Sequence, residues 1–234
     1  MRSSSRMLFS IFFAFLFAPF ASAQQSTFSI DFNGKVFDLV ERGAVDSDAV
    51  WKFEDGKPKL LFVCWENPES SSTEEMDIVQ RAVSASWQAS SKLQFIGWGK
   101  CAETSPGIRI LITDDAANGP RVQDFGRKLN KRKNGMILNF TFKNWIPACQ
   151  EGPKEVWIAR IAVHEFGHAI GFRHEQDRDD TVGAECKKLK TGPNPDLVLT
   201  PYDPKSIMNY CWCEANSNLS NFDKLAVQKL YGEP

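Results

Sequence analysis

The chain has 234 residues, and its 28 lysines and arginines against 29 aspartates and glutamates leave a formal net charge of −1. This length is enough for one good-sized domain or two small ones. A nearly neutral balance gives no electrostatic reason to expect nucleic acid or an anionic membrane as a partner.

The first residues have the pattern of a secretory signal peptide. A basic start precedes an apolar run, residues 7–20, and Ala-Ser-Ala at 21–23 fits the small-residue cleavage pattern. The run is shorter than the roughly 20 residues with which a helix crosses a bilayer. We therefore expect residues 1–23 to be removed, with no membrane insertion afterwards, and the mature chain to be secreted to the extracellular space or, in a bacterium, to the periplasm.

Six cysteines lie beyond this segment, and an even number in an exported chain predicts disulfides while leaving their pairing open. Zinc ligation by Cys211, Cys213 and another pair is the alternative, but no C-x-x-C spacing occurs and an oxidising compartment disfavours structural thiolates. Because pairing within C-W-C would be strained, we expect Cys211 and Cys213 to bond to different partners. The six are Cys64, Cys101, Cys149, Cys186, Cys211 and Cys213.

Residues 24–57 contain short alternating pieces, FSIDF and KVFDLV, that are broken by glycines. They fit either an N-terminal strand layer or a short pro-segment, and the sequence leaves both open. The main domain is expected over residues 58–234. It opens with KLLFVCW (59–65), which has a clear strand pattern.

A helix and three more strands are predicted next. Ser72 and Glu75 form a capping box, and the apolar residues that follow recur at helical spacing on one face. LQFIGW (93–98), GIRILITDD (107–115) and GMILNFTF (135–142) are strand patterns. The polar, basic stretch before GMILNFTF predicts an exposed edge strand and loop, and we interpret its KRKN as a solvated turn rather than an anion-binding patch.

KEVWIARIAVHEFGHAIG (154–171) is the strongest helix pattern in the chain, and Gly171 is its stop signal. A loop-like region rich in glycine and proline, 176–205, comes before a short closing helix that Ser220 and Asp223 open. This order predicts an α+β fold: a twisted mixed β-sheet, a backing helix, a long second helix and a loop-rich C-terminal subdomain.

All three histidines of the chain, His164, His168 and His174, fall within HEFGHAIGFRH. Four residues at about 100° each leave His164 and His168 about 40° apart around the helix axis, so both imidazoles can converge on one ion. Glu165 is rotated by about a quarter turn, so its carboxylate would reach a water rather than the ion. This is the zincin arrangement H-E-x-x-H.

Gly171 gives the third histidine a route back to the same ion. If the helix continued, His174 would point away, but glycine tolerates positive φ, so the helix can end and the chain can turn sharply. The spacing H-E-x-x-H-x-x-G-x-x-H is that of the metzincins, and it disfavours a chance cluster of histidines. We predict one catalytic Zn²⁺ held by the three histidines, with Glu165 as general base.

Three stretches resemble the astacin family of zinc endopeptidases. They are HEFGHAIGFRHEQDRDD, PYDPKSIMNY (201–210), which is similar to the astacin Met-turn, and LSNFDKLAVQKLYG, which is similar to the closing helix. The resemblance is strong over about residues 155–232, is one of element order alone before that, and implies a metzincin-type fold. It also implies that Met208 is the apolar floor beneath the zinc, rather than simply a core methionine. Tyr210 would ligate zinc and swing to stabilise the oxyanion, instead of being a plain core tyrosine.

Some residues depart from the family pattern. Asn209 stands where astacins usually have histidine, and no cysteine follows LYG. In astacins the glutamate after the third histidine contacts the N-terminus that propeptide removal creates, whereas here the role of Glu175 and the need for activation stay open. In metzincins the substrate pairs with an exposed edge strand, for which residues 118–125 are the candidate.

The leading hypothesis is a secreted, monomeric zinc metalloendopeptidase that acts on protein or peptide substrates. A metzincin-fold zinc-binding protein without peptidase activity is the alternative, and it would need the histidines but not Glu165. A zinc hydrolase for non-peptide substrates is a third hypothesis. Asn139 and Asn218 begin glycosylation sequons, which matter only in a eukaryotic secretory pathway.

Overall fold

The computed structural model distinguishes two compact units along the chain. The first, residues 1–39, contains an antiparallel pair of strands, β1 (Ser29–Phe32) and β2 (Lys35–Asp38). The alternating pieces of the N-terminal segment thus form strands, and whether the segment is a pro-segment stays a proposal. The described residues are 29–32, 35–38, 44–145, 152–209, 211 and 218–234.

Several predictions concern residues outside these ranges. These residues are the signal segment (residues 1–23), Tyr210, and the two cysteines Cys149 and Cys213. Among the described residues, no helix combines the length and the apolar character that crossing a membrane requires.

The second unit, residues 40–234, is built around a five-stranded mixed sheet with the strand order β4-β3-β5-β7-β6. Neighbouring strands are parallel except β6, which pairs antiparallel with β7 at the edge of the sheet. The α+β class, the mixed sheet and the edge strand within 118–125 are therefore confirmed. The strands are β3 (Lys59–Trp65), β4 (Leu93–Lys100), β5 (Ile108–Ile112), β6 (Arg121–Val122) and β7 (Met136–Leu138).

Four α-helices accompany the sheet in the described part of the chain. A complete capping box, with both of its reciprocal hydrogen bonds, forms at Ser72 before the first helix and at Ser220 before the last. The region expected to be loop contains one short helix, which buries Cys186. The helices are α1 (Thr73–Val83), α2 (Lys154–Ala169), α3 (Ala184–Lys188) and α4 (Asn221–Tyr231).

The end of α1 is fixed against α2 by a buried tryptophan. Trp87 lies in a π-helical turn, Ser84–Gln88, that continues α1, and none of its surface is exposed. Its indole Nε1–H donates to the carbonyl of Val163 at 2.7 Å, and its ring stacks on Phe172 with 5.3 Å between centroids. Burial of the ring together with its one polar group holds α2 at a defined position beside the sheet.

The strand predicted over 135–142 ends at Leu138 because the chain then turns around the carboxylate of Asp114. This carboxylate accepts hydrogen bonds from Asn139 Nδ2 at 2.8 Å and Thr141 Oγ1 at 2.6 Å. It also accepts the backbone N–H groups of residues 143–145 at 2.6–3.0 Å. Desolvation opposes ionisation, but these donors together hold the pKa of Asp114 well below its usual range.

The sequon at Asn139 is part of this turn. Asn139 is 1% exposed, and its Oδ1 accepts the backbone N–H groups of Thr141 and Phe142, both at 3.0 Å. Its carboxamide is therefore used inside the folded chain, whereas Asn218 of the second sequon is exposed.

Two disulfides join described cysteines, Cys64 to Cys101 and Cys186 to Cys211. The first ties β3 to the residue after β4, and the second ties α3 to the chain just beyond Asn209. The prediction of disulfides is confirmed for these four residues, and Cys211 is not paired within the C-W-C segment.

Replacing Asp114 with alanine should lower the melting temperature, because five donors lose their shared acceptor. The folded-state pKa of Asp114 is depressed, so its stabilisation is present at neutral pH and is lost as pH falls below the ordinary value of 3.8. The gap in melting temperature between wild type and Asp114→Ala should therefore narrow in acid. Thermal unfolding at pH 7 and pH 3 measures this difference in melting temperature, and Asp55→Ala, at an exposed aspartate, is the control. Equal differences between wild type and Asp114→Ala at the two pH values would contradict the role of the Asp114 carboxylate.

Candidate metal centre

Helix α2 carries the first two histidines on its buried face. His164 and His168 are 6% and 4% exposed, and their ring centroids lie 4.7 Å apart, as a one-turn separation predicts. The helix ends with Ala169.

The chain reverses at Gly171, as the sequence predicts. Gly171 has a φ of 106°, its N–H donates to the carbonyl of His168, and the N–H of Phe172 donates to the carbonyl of Gly167. These two bonds are those of a Schellman motif with glycine at the position after the cap. No heavy atom lies nearer than 3.7 Å to a Cβ built on Gly171, so the positive φ, not crowding, is what favours glycine here.

The reversal brings His174 back to the other two imidazoles. Its ring centroid lies 4.5 Å from that of His168 and 5.3 Å from that of His164. The three histidines offer ligand nitrogens that all lie within 4.8 Å of one another, and no other such cluster of metal-ligating side chains occurs among the described residues. The structure thus brings the three predicted ligands together.

The Nδ1 atom of each ring has a hydrogen-bond partner. His164 Nδ1 lies 2.8 Å from the carbonyl of Ile207, His168 Nδ1 lies 2.7 Å from the carbonyl of Phe172, and His174 Nδ1 lies 2.8 Å from the Thr191 hydroxyl. A carbonyl only accepts, so Nδ1 carries the proton in His164 and His168. Their Nε2 atoms are left as electron-pair donors.

These donors fit a zinc ion. Zn²⁺ binds histidine nitrogen at about 2.0–2.1 Å in tetrahedral geometry, which places neighbouring nitrogens roughly 3.3 Å apart. Here the Nε2 atoms of His168 and His174 lie 2.9 Å apart. Burial, and then the neighbouring His174, lower the pKa of His164 to about 3 and put that of His168 well below its ordinary value, so both rings are neutral as metal ligands must be.

Glu165 lies beside this cluster and is 3% exposed. The backbone N–H of Val122 in the edge strand β6 lies near enough to this carboxylate to favour its ionised form, while Oε2 has no hydrogen-bond partner in the described part of the chain. Burial raises the pKa of Glu165 to about 8, although Arg121 and the Val122 N–H oppose this. A poorly solvated carboxyl with one open oxygen is suited to holding a proton.

Met208 packs directly against α2. It is 2% exposed, and a Cβ built on Gly167 would collide with its Sδ and would lie 3.0 Å from Trp87 Cζ2. Gly167 lies between His164 and His168 in the sequence, so Met208 packs on the helix between these two residues. The role of Met208 as the floor of a zinc site stays a proposal from the resemblance.

The Met-turn is also held from the C-terminal helix. Asp223 in the first turn of α4 accepts the Ser206 hydroxyl at 2.6 Å and the Ile207 N–H at 2.9 Å. The carbonyl of Ile207 is the partner of His164, so α4 supports a ligand through one residue of the Met-turn.

Glu175 follows the third histidine and faces away from the imidazoles into a buried polar cluster. It is 5% exposed, its Oε1 accepts the Asp203 N–H at 2.8 Å, and it lies 3.1 Å from Arg178 Nη1. Its backbone N–H donates to the carbonyl of Met208 at 2.9 Å. Burial raises the pKa of Glu175 to about 8, against the opposing charge of Arg178. These contacts brace the Met-turn and do not make Glu175 a member of the imidazole cluster.

Sequence reasoning missed four contributors to the centre. Gly167 could have been found from its place inside H-E-x-x-H, because a helix that receives a methionine side chain favours glycine at the contact. Val122 lies in the candidate edge strand and Asp177 in a stretch that carries the family resemblance, but nothing in the local sequence marks their contacts, or that of Thr191, with the centre.

Gly167→Ala should destabilise the protein by about 1–3 kcal/mol, the usual cost of overfilling a packed core, because the new methyl group meets Met208 and Trp87. Gly99→Ala is the matched control, since no heavy atom lies within 4 Å of a Cβ built there. Denaturant unfolding of both variants measures the difference. Equal stability of the two variants would refute the packing of Met208 on α2.

Comparison with known proteins finds similarity to zinc proteases. No protein-family model matches the chain. The zinc metalloproteinase nas-39 of Caenorhabditis elegans is 37% identical over 79 residues, which cover 26% of this chain and only 8% of that protein.

Two solved structures share the fold. Myroilysin matches with a TM-score of 0.60 and 18% identity, covering 82% of this chain and all of its own. High choriolytic enzyme 1, a hatching enzyme zinc-protease from the medaka fish Oryzias latipes, matches with a TM-score of 0.52 and 18% identity, covering 83% of this chain and all of its own. The metzincin-type fold is therefore confirmed, and the chain resembles the astacin-like family of metzincin zinc metallopeptidases.

Proposed function

We propose that this chain is a secreted zinc-dependent endopeptidase, with one catalytic Zn²⁺ held by His164, His168 and His174. The observation that carries the proposal is the convergence of three imidazoles beside the buried carboxylate of Glu165. Relatives named as a zinc metalloproteinase and a hatching enzyme zinc-protease support the same chemistry. Residues 58–234 would be the catalytic domain.

A zinc ion at this site would polarise a peptide carbonyl, lower the pKa of a bound water to about 7 and favour the ionised form of Glu165 by its charge. Glu165 would accept a proton from a water molecule whose oxygen attacks the carbonyl carbon. The carboxyl group passes that proton to the amide nitrogen when the C–N bond breaks. Its burial excludes bulk solvent from both transfers.

The substrate would align along β6. In an antiparallel pair, successive backbone groups alternate between facing the partner strand and facing away. The N–H of Gln123 donates to the Gly135 carbonyl on the β7 side, whereas the N–H of the preceding residue, Val122, alternates to the other side, near Glu165. The open side of this edge strand therefore faces the centre, which supports residues 118–125 as the segment that pairs with an extended peptide.

Tyr210 completes the proposed machinery as the donor that stabilises the oxyanion, a role carried over from the resemblance. It lies outside the described residues, but the position before it is well held. Asn209 is 2% exposed and donates to the Tyr202 hydroxyl at 3.0 Å and to the Asp203 carbonyl at 3.3 Å.

The disulfides also support export of the protein. Two disulfides join described cysteines, and disulfides persist in oxidising compartments. Together with the signal pattern of residues 1–23, they support an extracellular or periplasmic location, where we propose that the chain acts as a monomer on protein or peptide substrates.

Digestion of a peptide library tests the proposal. Zinc-loaded wild type should cleave, a chelator should abolish cleavage, and Glu165→Ala should lose about 10²–10⁴-fold in kcat while keeping its zinc. Glu155→Ala is the matched control, because it removes an exposed glutamate from the first turn of the same helix.

Zinc-loaded wild type that cleaves no peptide would instead favour the zinc-binding alternative without peptidase activity. Retention of full activity by zinc-loaded Glu165→Ala would remove the assigned base.

A further inference from the structure

The third histidine is supported differently from the other two. Backbone carbonyls hold His164 and His168, whereas the partner of His174 Nδ1 is the side-chain hydroxyl of Thr191, 17 residues further along the chain. The His174 side chain is also 17% exposed, more than the 6% and 4% of the other two residues. The orientation of this ligand therefore depends on a loop rather than on the helix that carries the motif.

Asp177 holds that loop in place. Asp177 is 2% exposed, and its Oδ1 accepts the backbone N–H of Thr191 at 2.8 Å and that of Gly192 at 3.1 Å. Its Oδ2 lies 3.7 Å from His174 Nδ1. A Cβ built on Gly192 would lie 3.0 Å from Asp177 Oδ2, so the turn is packed closely against the carboxylate. One buried side chain thus touches both the loop and the ring that the loop orients.

We propose that Asp177 and Thr191 are positioning residues for His174 as a zinc ligand, an inference that rests on the proposed zinc site. A neutral imidazole that gives Nε2 to a metal carries its proton on Nδ1, and this proton needs an acceptor. The Thr191 hydroxyl supplies the acceptor, and Asp177 fixes the backbone of Thr191 so that the hydroxyl stays within reach. Neither residue touches the ion or the substrate.

A purely structural role for the same contacts makes a different prediction. If Asp177 only closed the turn, loss of the Thr191 hydroxyl would leave zinc affinity unchanged. If the hydroxyl orients the ligand, its loss should weaken zinc binding without changing the stability of the metal-free protein, because Thr191 is itself exposed. Loss of the hydrogen-bond partner of a metal-bound histidine typically weakens metal binding about 10–100-fold.

The test is the zinc dissociation constant of the full chain, measured by competition with a fluorescent chelator. Thr191→Val keeps the shape of the side chain and removes the hydroxyl, and it should weaken zinc binding about 10-fold. Thr191→Ser keeps a hydroxyl and should stay within about 3-fold of wild type, well below the loss from removing the partner. Thr104→Val, at an exposed threonine away from the centre, is the matched control.

A double variant tests the link between the two residues. Asp177→Ala should weaken zinc binding at least as much as Thr191→Val, and adding Thr191→Val to it should cause little further loss, because residues that act through one bond are not additive. Melting of the metal-free proteins, recorded in parallel, separates lost ligand orientation from lost folding.

The outcomes are distinct. Equal zinc affinity in Thr191→Val and Thr104→Val overturns the inference, as does an equal loss in Thr191→Val and Thr191→Ser, or full additivity with Asp177→Ala. A wild type that takes up no zinc overturns the proposed function and this inference together. Zinc binding that depends on the Thr191 hydroxyl, with no peptide cleaved, supports the inference and refutes only the peptidase activity.

Discussion

The centre depends on one backbone reversal, at Gly171. A helix can present two histidines one turn apart to one ion, but the third ligand reaches that ion only if the helix stops and the chain turns back. The left-handed φ of Gly171 allows this turn, and the residue after it then serves three purposes. Phe172 closes the helix through its N–H, orients His168 through its carbonyl and stacks its ring on Trp87. The turn that recruits the third ligand therefore also holds the second.

Support for the ligands comes from remote parts of the chain. The carbonyl of Ile207 orients His164, and Asp223 of the closing helix fixes Ile207 in turn. The Thr191 hydroxyl, held by Asp177, faces His174, and Met208 fills the space that Gly167 leaves open on the helix. Each ligand thus has its own support, and each support belongs to a different segment, so the geometry of the centre depends on the folding of the whole C-terminal half.

Much of this could be predicted from local pattern. The capping boxes at Ser72 and Ser220, the strand β3 and the helix that ends before Gly171 all follow from periodicity and end signals within a few residues. The convergence of the three histidines could be predicted because it depends only on helical spacing and one glycine. The remaining contacts could not, since Asp114 shortens a predicted strand and Thr191 reaches His174 only through tertiary structure. Backbone partners such as the Ile207 carbonyl have no side chain by which a sequence could reveal them.

Anomalous diffraction at the zinc edge from crystals of the zinc-loaded protein would locate the ion and identify its ligands. We expect one ion bound by the Nε2 atoms of His164, His168 and His174 at about 2.0–2.1 Å, with Thr191 and two backbone carbonyls still hydrogen-bonded to the opposite ring nitrogens. An ion bound elsewhere, or one that leaves His174 uncoordinated, would contradict the convergence of the three ligands at the Gly171 reversal.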